Sequence, residues 1–226
     1  YRLSYPGLWL IALFASSNAF LWRINMTKAM SLSLVLMIAG IHLLFQRKYA
    51  WLMPLAFLYV WTYSLWVMLG AATFIWAEVI LWSERFLEWR PLVWTTLGVV
   101  AGFIINPYFP QNVWLFYEHV LIRATAGGFS TSVGGEWYPF NTWEFLSNCS
   151  VAFIAMGVGY ISCRVADKRG SQKPLFFLIF STLLLIADAR SRRWVEYWAP
   201  FAVLFAAFSL QSILKLGVAD KGTKNS

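Results

Sequence analysis

Eight apolar runs, at residues 6–22, 29–45, 51–69, 71–82, 91–105, 146–163, 174–187 and 199–216, occupy most of this chain and decide what it can fold into. A helix crosses a bilayer core with about 17 to 25 residues, so these runs suit membrane spans, the shorter ones by tilting or by extending into their flanks. Only 12% of the 226 residues are charged, against about 25% in an ordinary soluble domain. The expected fold is all-α: a polytopic transmembrane helix bundle of about eight spans over residues 1–217. An outer-face interfacial helix and loop would lie within 106–145, and a solvated tail at 218–226. Residues 51–82 hold one charge, Glu78, and are too long for one ordinary span; the expected division is at Gly70, with one long tilted helix as the alternative. The sequence begins at Tyr1 without an initiator Met, and its first apolar run lacks the basic flank and cleavage site of a signal peptide, so the sequence is expected to be a fragment whose N-terminal part is missing.

The net charge of +8 does not point to nucleic acid, because the basic residues stand in short clusters between apolar runs and form no stripe. They read as topology signals. With the division at Gly70, Arg2, Arg47, Lys48, Arg85, Arg90, Arg164, Lys168, Arg169, Lys173, Lys215, Lys221 and Lys224 face one side. Arg23, Lys28, Arg123, Arg190, Arg192 and Arg193 face the other. The positive-inside rule places the larger group in the cytoplasm and the segments 106–145 and 188–198 outside. Cys149 and Cys163 stand at opposite ends of one expected helix, beyond disulfide reach. Neither Cys nor His shows zinc-ligand spacing, and no metal site is expected from the residues.

The outer segments hold the residues able to do chemistry. Asn106, with Pro107 and Pro110 after it, ends a span and predicts an extended turn. Over 111–124 helical spacing gathers Gln111, Asn112, Glu118, His119 and Arg123 on one arc, an interfacial amphipathic helix that either snorkels or presents Glu118 and His119 to a site. The following loop carries Gly127, Gly128, Gly134 and Gly135, then Glu136, Trp137 and Tyr138. An acid beside two aromatic rings suits a sugar, which offers an apolar face to stack on and hydroxyls to accept from; the plainer role is an interfacial anchor. Arg190, Arg192 and Arg193 crowd four positions on the poorly basic side, which points to an anion, and the forked guanidinium matches phosphate at headgroup depth. The plainer role is helix-end pairing of Asp188 with Arg192 and of Arg192 with Glu196, four residues apart in each case, together with ordinary lipid-phosphate contact.

Four motifs in order, Arg23-Ile24-Asn25-Met26-Thr27-Lys28-Ala29 at a helix start, Asn106-Pro107-Tyr108-Phe109-Pro110, Gly135-Glu136-Trp137-Tyr138-Pro139 and Arg193-Trp194-Val195-Glu196-Tyr197-Trp198-Ala199-Pro200, resemble the later half of bacterial multi-span membrane glycosyltransferases of the GT-C architecture. The resemblance covers most of the chain. It implies an enzyme that takes sugar from a polyprenyl-phosphate donor at the extracytoplasmic face of the inner membrane and passes it to a lipid, glycan or protein acceptor. It implies Arg190, Arg192 and Arg193, with Glu196, for the donor phosphate. Glu136, Trp137, Tyr138 and Asn106 would meet sugar or acceptor, and Glu118 with His119 would support them, near a divalent cation if one is used. The family's principal acid lies in a first outer loop, which this chain does not show before Pro6. Two other classes fit the same residues: a transporter or flippase of an anionic lipid-linked substrate, and a non-catalytic membrane subunit whose outer loop docks a partner.

Overall fold

A computed structural model describes residues 3–118, 135–163 and 172–223, and among these the chain is helical throughout, with no strand. Eleven α-helices follow in order: α1 Pro6–Ala15, α2 Asn18–Ile24, α3 Met30–Phe45, α4 Leu52–Thr62, α5 Val67–Glu84, α6 Arg90–Ile104, α7 Gln111–Phe116, α8 Thr142–Asn148, α9 Ser150–Ser162, α10 Gln172–Arg190 and α11 Val195–Thr223. Short 3-10 turns at Tyr49–Trp51, Ser64–Trp66, Gly135–Trp137 and Arg192–Trp194 link them. Their starts follow local chemistry. Pro6 and Pro91 stand in the first turns of α1 and α6, where a missing N–H costs nothing. Ser17 and Asn141 cap α2 and α8 by accepting from the amides of Phe20 and Trp143.

Among the described residues two helices are long and apolar enough to cross a membrane, Ser64–Glu84 and Gln172–Arg190, or up to four if each of two sharply bent pairs is one span. The bent pairs are α1 with α2, at 86°, and α8 with α9, at 78°. Large apolar side chains stay exposed along these elements, with Ile161 88% and Ile11 71% accessible, as expected of surfaces whose solvent is lipid.

The chain forms two compact units, Tyr1–Met26 with Gly135–Ser226, and Thr27–Gly134. In the first, α11 is the hub: it packs on α1, α2, α9 and α10, and Trp198, Phe201 and Phe205 are fully buried. Gly159 of α9 lets Phe205 approach so closely that a methyl group there would sit 2.4 Å from the ring. The two bends of this unit are joined: the Ala152 amide donates to the Ser16 carbonyl at 3.1 Å, and Ser17 Oγ lies 3.2 Å from Cys149 Sγ. Both cysteines are free thiols.

In the second unit, α4 lies along α6. Gly98 and Gly102 make this possible, since a Cβ on Gly98 would come within 2.2 Å of the Met53 carbonyl oxygen. The division of residues 51–82 falls at Tyr63, in extended conformation, not at Gly70, which continues inside α5. Thr62 and Ser64 flank the true break, and Thr62 Oγ1 donates to the Leu58 carbonyl, the local competition by which hydroxyl side chains loosen a helix end. Residues 106–110 make a compact turn and not an extended one: Asn106 Oδ1 accepts from the Tyr108 amide at 2.9 Å. The helix expected over 111–124 is seen as α7 and one wider turn to Glu118. His119, Arg123, Gly127, Gly128 and Gly134 lie outside the described residues.

Candidate functional site

Between α10 and α11 the helix stops at Ser191, whose backbone is extended (φ −155°, ψ 125°), and restarts after the turn Arg192–Trp194. This hinge holds the Gly135–Trp137 turn and the residues after it through main-chain bonds. Ser191 Oγ donates to the Glu136 carbonyl at 2.9 Å, the Arg192 amide to the Tyr138 carbonyl at 3.1 Å and Arg192 Nε to the Pro139 carbonyl at 3.1 Å. The Arg192 guanidinium also meets Glu144 at 3.4 Å and lies over the Phe140 ring, while Arg193 lies over Trp137 with 4.8 Å from Cζ to the ring centroid. Guanidinium-on-aromatic contacts of this kind are favourable and keep both partners oriented.

Arg23, in the last turn of α2, is the charge around which the site is built. It is 4% exposed. Its Nε donates to Glu196 Oε2 at 2.9 Å, and its Nη1 donates to Glu136 Oε2 at 3.2 Å. The two carboxylates differ: the Glu196 side chain is 3% exposed and that of Glu136 26%. Asp188 is a third acid, fully buried, close enough to feel the charge of Arg23 and the dipole of the Val195 amide yet without a hydrogen bond of ordinary geometry. Arg23 Nη2 is also buried and makes no hydrogen bond among the described residues. One cation therefore serves two carboxylates and neighbours a third, and one of its donors is still unspent. Such a buried group is expensive to leave unmatched.

The structure brings Glu136, Trp137, Tyr138, Arg192, Arg193 and Glu196 to one place in the first unit. Arg190 ends α10 and is exposed. Two expectations change. The pairs Asp188 with Arg192 and Arg192 with Glu196 do not form, because the extended Ser191 interrupts the helix on which they were spaced and Glu196 turns to Arg23. Arg192, expected on a phosphate, spends its fork on the Pro139 carbonyl and Glu144. Arg23 was legible as a topology signal at a helix start; it stands at a helix end as the central counter-ion. The signal that identifies it is the need of Glu196, buried in the structure, for a cation of its own.

Asn106 and Glu118 belong to the second unit, where both line a cavity of about 580 Å³. Trp61, Trp66 and Trp114 contribute its aromatic walls, Trp114 Nε1 donates to Glu118 Oε1 at 3.0 Å, and the Trp66 ring packs 4.9 Å from that of Phe116. Among the described residues no group of three or more His, Cys, Asp or Glu is placed to hold a metal ion. Comparison with protein families, with curated proteins and with solved structures finds no match to this chain.

Proposed function

We propose that this chain is part of a membrane glycosyltransferase: a bundle of about eight spans in a bacterial inner membrane that moves a sugar from a polyprenyl-phosphate donor to a lipid, glycan or protein acceptor at the extracytoplasmic face. The observation that carries the reading is the setting of Glu136, a partly exposed carboxylate held by a buried arginine beside Trp137 and Arg193. In this reading Glu136 orients the acceptor hydroxyl and takes its proton as the oxygen attacks the anomeric carbon. The bond from that carbon to the phosphate oxygen breaks, and the electron pair leaves with the phosphate. Arg193 and the exposed Arg190 stabilise the charge that develops there. Trp137 and Tyr138 stack on the sugar.

The test is transfer of radiolabelled sugar from a panel of polyprenyl-phosphate donors, in membranes carrying the full-length protein at matched expression. Glu136→Ala is expected to lower transfer by about 10²- to 10⁴-fold, the usual worth of a positioned base, and Arg193→Ala by about tenfold or more. No transfer with any donor, or full activity in both variants, removes the reading.

A second reading, a non-catalytic membrane subunit, is favoured by one observation: the aromatic loop is hydrogen-bonded straight onto the arginine hinge, with Arg192 consumed in holding it. The same assay separates the two, since a subunit transfers nothing by itself.

A further inference from the structure

The buried donor that Arg23 leaves unspent sits beside the donor it shares with Glu136. From this we infer that the Nη1/Nη2 edge of Arg23 is the binding site for a phosphate monoester, and that Glu136 occupies this site in the resting protein as an internal stand-in for the ligand. That the phosphate is the one released from a prenyl-linked sugar donor rests on the transferase reading; the anion site rests on the geometry.

The two carboxylates on Arg23 play different parts. Glu196 is the anchor: it is buried, it takes Nε at 2.9 Å, and this bond fixes the plane of the guanidinium. Glu136 is the replaceable partner: its contact is longer, at 3.2 Å, its side chain is 26% exposed, and it rises from the short turn Gly135–Trp137. Once the anchor holds Nε, the remaining edge of the guanidinium presents two parallel donors. A carboxylate oxygen on Nη1 with Nη2 unspent satisfies half of that edge. Phosphate oxygens match both donors, the bidentate pairing that guanidinium favours. Charge favours the exchange too. A phosphate monoester carries about −1.5 to −2 at neutral pH against the single charge of a carboxylate.

The transfer step supplies the switch. While the sugar is attached, the phosphate is a diester with one negative charge and gains little by displacing Glu136. As the bond to the anomeric carbon breaks, the leaving oxygen keeps the electron pair and the phosphate gains a charge. The proton of the acceptor hydroxyl passes to Glu136, which becomes neutral and loses its hold on Nη1. Arg23 thus trades a carboxylate that has lost its charge for a phosphate that has gained one. No further reactant is required, and the count of protons and electrons closes.

The experiment is equilibrium binding of farnesyl phosphate to the full-length protein in nanodiscs of zwitterionic lipid, with farnesol, inorganic phosphate and phosphatidic acid as comparison ligands. Glu136→Gln keeps the shape of the side chain and removes the competing charge, so it is expected to tighten farnesyl phosphate binding about tenfold, the worth of one charged hydrogen bond. Inorganic phosphate, binding more weakly, should show the same gain, and farnesol none. Arg23→Ala alone leaves Glu196 buried without its cation and can unfold the protein, so the matching loss is read in the double variant Arg23→Ala/Glu196→Gln, expected to bind at least tenfold more weakly. Unchanged or weaker binding in Glu136→Gln, retained binding in the double variant, or a gain shared by farnesol overturns the site. Equal competition by phosphatidic acid overturns the prenyl assignment. A gain in Glu136→Gln from a protein that transfers no sugar leaves the anion site standing and removes the transferase; transfer without the gain does the reverse.

Discussion

At the scale of single residues, the price of a buried guanidinium is set by what it leaves behind. Arg23→Ala strands Glu196, 2% exposed, and takes away the cation whose charge Asp188 feels; breaking a buried pair in this way costs about 3–5 kcal/mol. Adding Glu196→Gln should return part of that loss, because the double variant buries no uncompensated carboxylate at this position. Denaturant unfolding in detergent, read by tryptophan fluorescence, measures both, and a double variant no more stable than the single one would contradict the pairing. The sequence shows why this contact is hard to foresee. Arg23 and Glu196 are 173 positions apart, and each sits in a stretch where nearer partners are on offer. Glu196 has Arg192 one helical turn before it, and only the extended Ser191 removes that option. Glu136, Trp137 and Arg193 stood out in the sequence, since acid, ring and guanidinium lie in short segments whose composition sets them apart. Their common centre was not.

At the scale of elements, helix positions follow apolar runs closely: residues 29–45 become Met30–Phe45, 91–105 become Arg90–Ile104, and 174–187 lie within Gln172–Arg190. Breaks follow them poorly, because a break is decided by what neighbouring elements offer to the freed backbone groups. Gly70 looked like a divider and is an ordinary helical residue with nothing within 4 Å of its missing Cβ. Gly98 looked unremarkable and is where α4 and α6 touch. The two glycines therefore predict opposite results. Gly70→Ala should stabilise the protein by about 0.5–1 kcal/mol through the lost freedom of the unfolded chain. Gly98→Ala should destabilise it by about 1–3 kcal/mol or more, since the clash is with backbone and not with a movable side chain. Thermal melts of the two variants in the same detergent test this; a loss in both would mean that helix propensity, and not packing at Gly98, governs them.

For the molecule as a whole, the two units differ in how the chain builds them. The second is continuous, and the first is assembled from both ends of the sequence. The distribution of basic residues predicts which side of the membrane each segment faces, and labelling tests that prediction. Tyr138 is 49% exposed, so Tyr138→Cys, in a chain with Cys149 and Cys163 changed to Ser, should react with an impermeant maleimide in intact cells. Arg47→Cys, at an exposed position on the side assigned to the cytoplasm, should react only after lysis. The reverse pattern would overturn the predicted orientation and put the proposed site on the inner face. Composition made the preference for membrane legible, but not how many of the runs are spans, because two of the helix pairs are bent near a right angle and each counts as a span only if the pair crosses as one.

Those bends also impose an order in time. The carbonyl of Ser16 and the hydroxyl of Ser17 find their partners at Ala152 and Cys149, and the last of these pairs is separated by 132 positions. A ribosome adding about 5 to 20 residues per second needs on the order of ten seconds to make that stretch. For that interval the first bend has no mate, and its freed backbone groups must be met by water, by lipid headgroups or by the insertion machinery. The bend between α1 and α2 is thus completed only when residues made much later arrive, and whatever holds it meanwhile is as much a requirement of this fold as any residue within it.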